Sequence, residues 1–164
     1  MNFSRINDDE LFLKIAELIS QKSTCCRKKV GSIIVNSGKI ISTGYNGVIS
    51  KKEHCENIFF KLFKKQNNLK SFDDYIKTKQ FSEKHAIFSA RNEIHAEQNA
   101  ILFAEKKYLA NSTIYTTLSP CFDCSKLIVI SKIAKVVFRE KYDRNGDESL
   151  GFLKENKIKI VHLK

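Results

Sequence analysis

A histidine, a glutamate and two cysteines stand in two short motifs that together could hold a metal ion. The motifs are His95-Ala96-Glu97 and Pro120-Cys121-Phe122-Asp123-Cys124. One imidazole and two thiolates suit zinc, and three protein ligands leave the fourth tetrahedral position open for water. A closed structural site would need a fourth protein ligand, and a buried histidine beside two unrelated thiols is the other alternative. The pattern favours a catalytic zinc site.

Both motifs fall at the start of a predicted helix, and this position matters. Each residue turns a helix by about 100°, so side chains at i and i+2 point about 200° apart on a helix flank. At the first turn, however, His95 and Glu97 can both address a site beyond the helix end, while Cys121 and Cys124 share a face. Two helix N-termini favour thiolates there. Because two thiolates also neutralise the ion, a free carboxylate at Glu97 is needed to take a proton from water.

The elements that carry these motifs predict an α/β fold. Asp8 or Asp9 could cap a first helix that ends near Lys22. A hairpin is predicted over 30–35 and 39–44, with a tight turn at 36–38. The apolar residues of the first helix follow a stripe that contains Leu11, Ile15, Leu18 and Ile19.

Strands and helices alternate in the second half of the chain. The prediction is a helix over 96–107, a strand over 112–117, a helix over 122–132, a strand over 135–139, a helix over 147–155 and a strand over 157–162. The first of these helices should bury Ala96, Ala100, Phe103 and Ala104. Alternation of this kind predicts a mainly parallel sheet with helices on both faces and the antiparallel hairpin at one side.

Residues 48–92 form a lysine-rich stretch with a predicted helix over 56–66. We interpret it as an insertion within one domain that spans residues 1–164, because it offers too few apolar residues for a core of its own. The length suits a single domain with a sizeable core.

The net charge of +11 raises the question of nucleic-acid binding. The chain has 24 lysines but only 5 arginines, and arginine is the residue that nucleic-acid readers favour. A phosphate-bearing substrate would explain the charge equally well. We find no apolar run that could span a membrane and no signal-peptide core. We therefore expect a cytoplasmic protein, or one in the host-cell cytoplasm if the chain is viral, whose five cysteines are thiols or metal ligands.

With these residues in view, the chain resembles the cytidine and deoxycytidylate deaminase superfamily, and most closely its deoxycytidylate deaminases. The matching segments are 29–31 (KVG), 42–47 (STGYNG), 92–101 (NEIHAEQNAI), 116–124 (TTLSPCFDC) and Tyr142-Asp143. The resemblance implies a three-layer α-β-α fold with a five-stranded mixed sheet, and usually a homohexamer. It departs from the family in residues 48–92, which lack the usual proline- and glycine-rich run.

The resemblance also implies an activity, the hydrolysis of dCMP to dUMP and ammonia, which supplies dUMP for thymidylate synthesis. Water would add to C4 of the pyrimidine while Glu97 passes a proton to N3 and then one to the departing amine. Asn46 would bind the sugar hydroxyl, the backbone at Ala96 the pyrimidine oxygen, and Tyr142 would lie near the phosphate. A turn residue is the alternative for Asn46. An allosteric dCTP or dTTP effector with Mg²⁺ is a further implication.

A second zinc ion is implied by the phage-type branch of the family. His85 and Glu93 stand ten and two residues before His95, and Cys25 and Cys55 correspond in order. Such a structural site would attach the insertion to the first helix. Incidental thiols and a surface histidine are the alternative, and Cys26 and His54 are spare candidates.

Three other functions compete with the mononucleotide enzyme. A transfer-RNA adenosine deaminase shares the zinc motif. However, Gly44-Tyr45-Asn46-Gly47 resembles the motif of the mononucleotide enzymes rather than the Gly-Trp-Asn-Arg of the adenosine deaminases. A non-catalytic nucleic-acid-binding module should have lost Glu97 or a ligand. A deaminase of another small-molecule base is the third. The candidates for phosphate contacts are Lys28, Lys29, Arg139 and Lys141.

Overall fold

The computed structural model describes residues 5–66, 69–142 and 146–164. The helices are α1 Asp8–Ser20, α2 Cys55–Phe63, α3 Phe72–Ile76, α4 Lys79–Asn92, α5 Ala96–Leu102, α6 Phe122–Ile130 and α7 Gly146–Glu155, with a 3₁₀ turn at Lys106–Tyr108. The strands are β1 Gly31–Asn36, β2 Lys39–Tyr45, β3 Gly47–Val48, β4 Glu93–Ile94, β5 Thr113–Leu118, β6 Lys135–Glu140 and β7 Lys159–His162.

Five strands form one mixed sheet in the order β2-β1-β5-β6-β7. β1 runs antiparallel to both β2 and β5, while β5, β6 and β7 are parallel to one another. Ser37 and Gly38 turn the hairpin with φ of 48° and 74°, the left-handed values that a tight hairpin turn requires. The short strands β3 and β4 form a separate antiparallel ribbon. The predicted mixed sheet with its hairpin at one side is confirmed.

Helices cover both faces of this sheet. Successive strand residues point to opposite faces, and both faces carry apolar side chains that the helices bury. On one face, Leu13 and Ala16 of α1 pack with a cluster that includes Ile33 and Val137. On the other face lie residues of α5, α6 and α7 with alternate residues of the same strands: Ala100, Ile128, Leu153, Ile34 and Val136. The predicted three-layer arrangement follows.

The first helix differs in detail from its prediction. Asn7, not Asp8 or Asp9, is the N-cap, and its side chain accepts from the backbone N–H groups of Asp9 and Glu10. The two aspartates lie instead in the first turn, where they complement the helix dipole.

The buried face of α1 also differs in part from the predicted apolar stripe. Leu13 and Ala16 are fully buried, whereas Leu18 is 64% exposed and Leu11 is 38% exposed. Ile15 and Ile19 pack at the margin of the buried cluster as predicted.

The helix predicted over 96–107 ends at Leu102, and Phe103 is 80% exposed rather than buried. Its buried residues are Ala96, Glu97 and Ala100, and its buried apolar face is formed by the two alanines. These small residues allow close packing on β2, where a Cβ on Gly44 would lie 2.2 Å from the backbone oxygen of Ala96. This contact requires glycine at residue 44 and brings the first turn of α5 against the sheet.

The segment 48–92 has a buried aromatic core, so the expectation that it lacks one is wrong. α2, α3 and α4 surround buried aromatic residues, and Phe59, Tyr75 and Phe81 are at most 1% exposed. The Phe59 and Phe81 rings meet edge to face at 5.0 Å. The apolar content is concentrated in few large side chains, which a count of aliphatic residues underestimates. The helix predicted over 56–66 is α2.

No helix within the described ranges is both long and apolar enough to cross a bilayer.

Candidate active site

The histidine and the two cysteines of the sequence motifs come together at the starts of α5 and α6. His95 and Cys121 are the N-cap residues of these helices, and Cys124 lies one turn into α6. Both sulfur atoms lie 3.4 Å from His95 Nδ1. Two ligands of a tetrahedral zinc ion with bonds of about 2.1 and 2.3 Å lie about 3.6 Å apart. The spacing and the donor types therefore fit zinc.

The backbone around these ligands is fixed by hydrogen bonds. Gln98 Oε1 accepts from the His95 backbone N–H at 2.9 Å, and Ser149 Oγ donates to the Pro120 carbonyl at 2.8 Å. The first bond holds the entry of α5 and the second holds the loop before α6. The ligands thus sit on rigid helix starts, which suits a site that must keep its geometry during a reaction.

Glu97 lies in the first turn of α5 and is only 4% exposed. Burial raises the pKa of its carboxyl group, although the charge on His95 opposes that shift. The carboxyl also hydrogen-bonds Cys124. Among the described residues, the compact ligand group contains His95, Cys121 and Cys124, without Glu97. The carboxylate is thus adjacent to the group but is not part of it.

The two sulfur atoms of the group are electrostatically unequal. Their mutual hydrogen bond lowers the pKa of Cys121 to about 4 and raises the pKa of Cys124. The hydrogen bond with Cys121 raises the pKa of His95 to about 9. A metal that binds here replaces the protons on His95 and Cys124, as metal binding to thiols and imidazoles generally does.

A second cluster of ligand groups lies between the loop after α1 and the inserted helices. Its members are Cys25, Cys55, His85 and Glu93, and their ligand atoms all lie within 4.8 Å of one another. His85 Nε2 is 3.3 Å from Cys25 Sγ and 3.4 Å from Cys55 Sγ. We call this set the Cys25 cluster. Its four members coincide with those that the sequence resemblance implied.

The chemistry of the Cys25 cluster also fits a metal. Glu93 Oε1 is buried without a hydrogen-bond partner, while its other oxygen accepts from Ser89 Oγ at 2.7 Å. A buried carboxylate oxygen without a partner is costly, and a cation would satisfy it. Hydrogen bonding with Cys55, together with burial, raises the pKa of Cys25. Two sulfurs, an imidazole and a carboxylate make the four ligands of a closed zinc site.

Comparison with known proteins places this geometry in a family. A family model described as the cytidine and deoxycytidylate deaminase zinc-binding region matches residues 6–140. The chain belongs to the cytidine and deoxycytidylate deaminase family.

Two other proteins are similar to this deaminase over most of its length. The deoxycytidylate deaminase of Enterobacteria phage T2 is 42% identical over 150 residues, which cover 81% of this chain and 80% of the relative. The crystal structure of dCMP deaminase from the cyanophage S-TIM5, in complex with dCMP and dUMP, superposes with a TM-score of 0.69 at 29% identity. That match covers 98% of this chain and 99% of the other.

A third match shows the fold alone. A structure from a study of A-to-I editing by tRNA:A34 deaminases has a TM-score of 0.55 at 13% identity, over 96% of this chain and 100% of that chain.

Asn46 of the deaminase follows β2 and is 9% exposed. Its Oδ1 accepts from Ser23 Oγ at 2.7 Å and from the Val30 backbone N–H at 2.8 Å, and its Nδ2 donates to the Lys28 carbonyl at 2.9 Å. The amide therefore shapes the loop that precedes β1. Because the amide nitrogen carries two hydrogens, one N–H remains for a ligand. The sugar-binding role of Asn46 stays a prediction.

The other two residues with expected substrate roles lie close to the zinc ligands in the fold. Ala96, directly after His95, is fully buried. Tyr142 is half-buried, and its backbone N–H donates to Ser119 Oγ at 2.8 Å, two residues before Cys121. The matching residue Asp143 lies outside the described residues.

Of the basic residues proposed for the phosphate, Arg139 is already engaged elsewhere. Its guanidinium binds Glu10 at 2.9 Å and Glu17 at 2.8 Å, both on α1. Lys28 pairs with Glu140, and Lys141 pairs with Asp147 at 2.5 Å, but both lysines are about half exposed. Arg139 therefore joins α1 to the sheet, whereas the lysines can exchange a surface partner for a ligand.

Sequence reasoning missed the serines that hold these groups in place. Ser23, Ser89, Ser119 and Ser149 bond to Asn46, Glu93, the backbone of Tyr142 and that of Pro120, respectively. The position of Ser89 four residues before Glu93 offers the only local signal among these four bonds, since Ser89 lies in the last turn of α4 and Glu93 directly follows that helix. The other three bonds join distant segments.

Proposed function

We propose that the chain is a zinc-dependent hydrolase that converts dCMP to dUMP and ammonia, and thereby supplies dUMP for thymidylate synthesis. The observation that carries the proposal is the group of His95, Cys121 and Cys124 with the buried carboxyl of Glu97 beside it. Three protein ligands leave room for water, and a free acid is available to move its protons. The similarity to phage enzymes described as deoxycytidylate deaminases supports the choice of substrate.

A zinc ion held by His95, Cys121 and Cys124 would supply a Lewis acid that activates water at neutral pH. Glu97 accepts a proton from this water as the oxygen adds to C4 of the cytosine ring, and it delivers the proton to N3. Glu97 then takes the remaining proton of the water oxygen, now a hydroxyl group on C4, and delivers it to the amine. The C4–N bond breaks as the C4=O bond forms, and the amine leaves as ammonia. Burial raises the pKa of Glu97, and this favours a carboxyl group that can accept a proton as well as release one.

The proposed substrate contacts are those that the family resemblance implies, and the positions of the residues support them. Asn46 donates its remaining amide N–H to the sugar hydroxyl, the Ala96 backbone N–H binds the pyrimidine oxygen, and Tyr142 lies near the phosphate. The surface lysines Lys28, Lys29 and Lys141 are better placed to neutralise the phosphate than Arg139, whose guanidinium is held by two glutamates.

The Cys25 cluster would hold a second, structural zinc ion. Its ligands come from the loop after α1, from α2, from α4 and from β4, so one ion would connect all four segments. The unpartnered oxygen of Glu93 supports this role. The aromatic core of the insertion and the metal would stabilise the same region together.

A transfer-RNA adenosine deaminase is the rival function, and the net charge of +11 is the feature that favours it. The two are separated by incubating the purified chain with dCMP, CMP, deoxycytidine and dCTP, and with a transfer-RNA anticodon stem, while ammonia release is measured. We expect release from dCMP well above that from the other substrates. Deamination of the anticodon stem without activity on dCMP would contradict the proposal.

The remaining features of the proposal concern the whole chain. We infer a single domain over 1–164 and a homohexamer. Large apolar side chains at the ends of the neighbouring helices α5 and α6 support an assembly, since they would be covered by another subunit. These side chains are Leu102, Phe103 and Ile130, each more than 70% exposed. None of the five cysteines forms a disulfide, which is consistent with a reducing cytoplasm. Regulation by dCTP or dTTP with Mg²⁺ stays a prediction.

A further inference from the structure

Ser23 is a buried hydroxyl group between the Cys25 cluster and Asn46. Its side chain donates to Asn46 Oδ1 at 2.7 Å and accepts from the Cys25 backbone N–H at 3.2 Å. The residue is only 4% exposed. One hydroxyl group thus connects a ligand of the second cluster to a residue beside the reaction site.

The hydrogen bonds around Asn46 determine which way its amide points. Oδ1 receives two donors, Ser23 Oγ and the Val30 N–H, while Nδ2 faces the Lys28 carbonyl. A flipped amide would place its NH₂ group against the Val30 N–H and its oxygen against the Lys28 carbonyl, so both contacts would become repulsive. The second N–H of Nδ2 therefore has a fixed direction.

The segment that carries Ser23 is attached to the Cys25 cluster and to β3. Cys25 Sγ lies 3.3 Å from His85 Nε2. A Cβ on Gly47, in β3, would come within 3.0 Å of Thr24 Oγ1, so the loop lies directly against the residue after Asn46. The position of Ser23 is thereby determined by groups on both sides of it.

We propose that Ser23 is a positioning residue that directs the Asn46 amide toward the sugar hydroxyl of the nucleotide, with the Cys25 cluster holding Ser23 in place. The inference rests on the proposed function and deepens it. Asn46 makes the contact with the sugar, and Ser23 acts through Asn46 without a contact of its own to the substrate. Without Ser23, Asn46 Oδ1 keeps only the Val30 N–H as a donor, and the amide is held less firmly in its direction.

A pair of substrates tests this role. dCMP carries one free sugar hydroxyl, and 2′,3′-dideoxycytidine 5′-monophosphate carries none. We expect Ser23→Ala to raise KM for dCMP by about three- to tenfold, the range for loss of one hydrogen bond, and to leave kcat within about twofold because Glu97 is untouched. For the dideoxy nucleotide, kcat/KM should be the same in Ser23→Ala and wild type. Ser23→Thr, which keeps the hydroxyl, should restore the KM for dCMP.

The opposing outcomes are distinct. A loss that is equal for both nucleotides would show that Ser23 supports the fold generally and would overturn the proposal, as would an unchanged KM for dCMP. If Ser23→Ala does not yield folded protein with wild-type zinc content, Ser23→Cys, whose thiol is a weak donor, is measured with the same two substrates. A wild-type chain inactive on both nucleotides would refute the proposed function, and this role with it.

Discussion

The two clusters of potential metal ligands contain the same kinds of side chain, and we propose different roles for them. The group of His95, Cys121 and Cys124 has three members, lies at two helix starts and has a buried free acid beside it. The Cys25 cluster has four members from four segments and is surrounded by the aromatic rings of the insertion. We therefore assign chemistry to the first cluster and structure to the second from the number of ligands and the presence of a free acid, rather than from the residue types.

Sequence spacing differs between the clusters in the same way. The group of His95, Cys121 and Cys124 comes from two compact motifs, whereas the residues of the Cys25 cluster are spread over positions 25 to 93. A cluster of distant residues closes long loops and restrains the segments between them, which suits a structural ion.

The largest effect should come from exchanging one atom of the free acid. Glu97→Gln should retain zinc but lose about three orders of magnitude or more in kcat, because the amide cannot transfer the protons. The matched control is Glu93→Gln, the same change in the other cluster, which should lower stability while turnover at saturating zinc stays measurable. Steady-state kinetics and metal analysis of both variants provide the check. An active Glu97→Gln variant would refute the assigned role.

Removing a ligand from the Cys25 cluster should cost stability rather than chemistry. Wild type should contain about two zinc ions per chain, and Cys55→Ser about one, with a free energy of unfolding lower by about 4 kcal/mol or more. Cys26 lies 3.4 Å from Cys55 but outside the four-residue group, so Cys26→Ser should keep both ions. About one zinc per fully active wild-type chain would rule out the second site.

The aromatic core beside that cluster makes a separate contribution. Phe59→Ala should lower the free energy of unfolding by about 3–5 kcal/mol, since the ring is 1% exposed and leaves a cavity. Phe60→Ala, one residue away on the exposed side of α2, should cost about 1 kcal/mol through lost ring contacts. Urea denaturation of the zinc-loaded proteins measures both. Equal losses would mean that the insertion has no ordered core.

The smallest effect on catalysis should be that of Arg139. Arg139→Gln should leave KM for dCMP within about twofold, because the guanidinium is committed to Glu10 and Glu17, and should cost roughly 1 kcal/mol of stability through partly exposed ion pairs. Lys28→Gln and Lys141→Gln serve as comparisons near the reaction site. A tenfold rise in KM for Arg139→Gln, with unchanged stability, would show that this residue binds the phosphate and would contradict the prediction.

The sequence predicted which ligand residues come together better than it predicted the hydrogen bonds that hold them in place. His95, Cys121 and Cys124 could be joined because soft ligands are rare and their spacing places them at helix starts. The hairpin and the parallel strands followed from β-rich runs and turn residues. The role proposed for Glu97 rests on the same motif, but its burial could be learned only from the packing of α5 on β2.

What the sequence did not indicate depends on contacts between distant segments. The capping role of Asn7, the exposure of Leu18 and Phe103 and the aromatic core around Phe59 follow from how elements meet, and local patterns are silent about that. The Ser23 hydroxyl is the clearest case, since its partner lies 23 residues away.

An anomalous diffraction map, recorded at the zinc edge on crystals of the zinc-loaded protein, tests the central distinction most directly. It should show one ion bound by His95, Cys121 and Cys124 with a non-protein fourth ligand next to Glu97, and a second ion enclosed by Cys25, Cys55, His85 and Glu93. A protein side chain in the fourth position of the first ion, or Glu97 bound to that ion, would contradict the account.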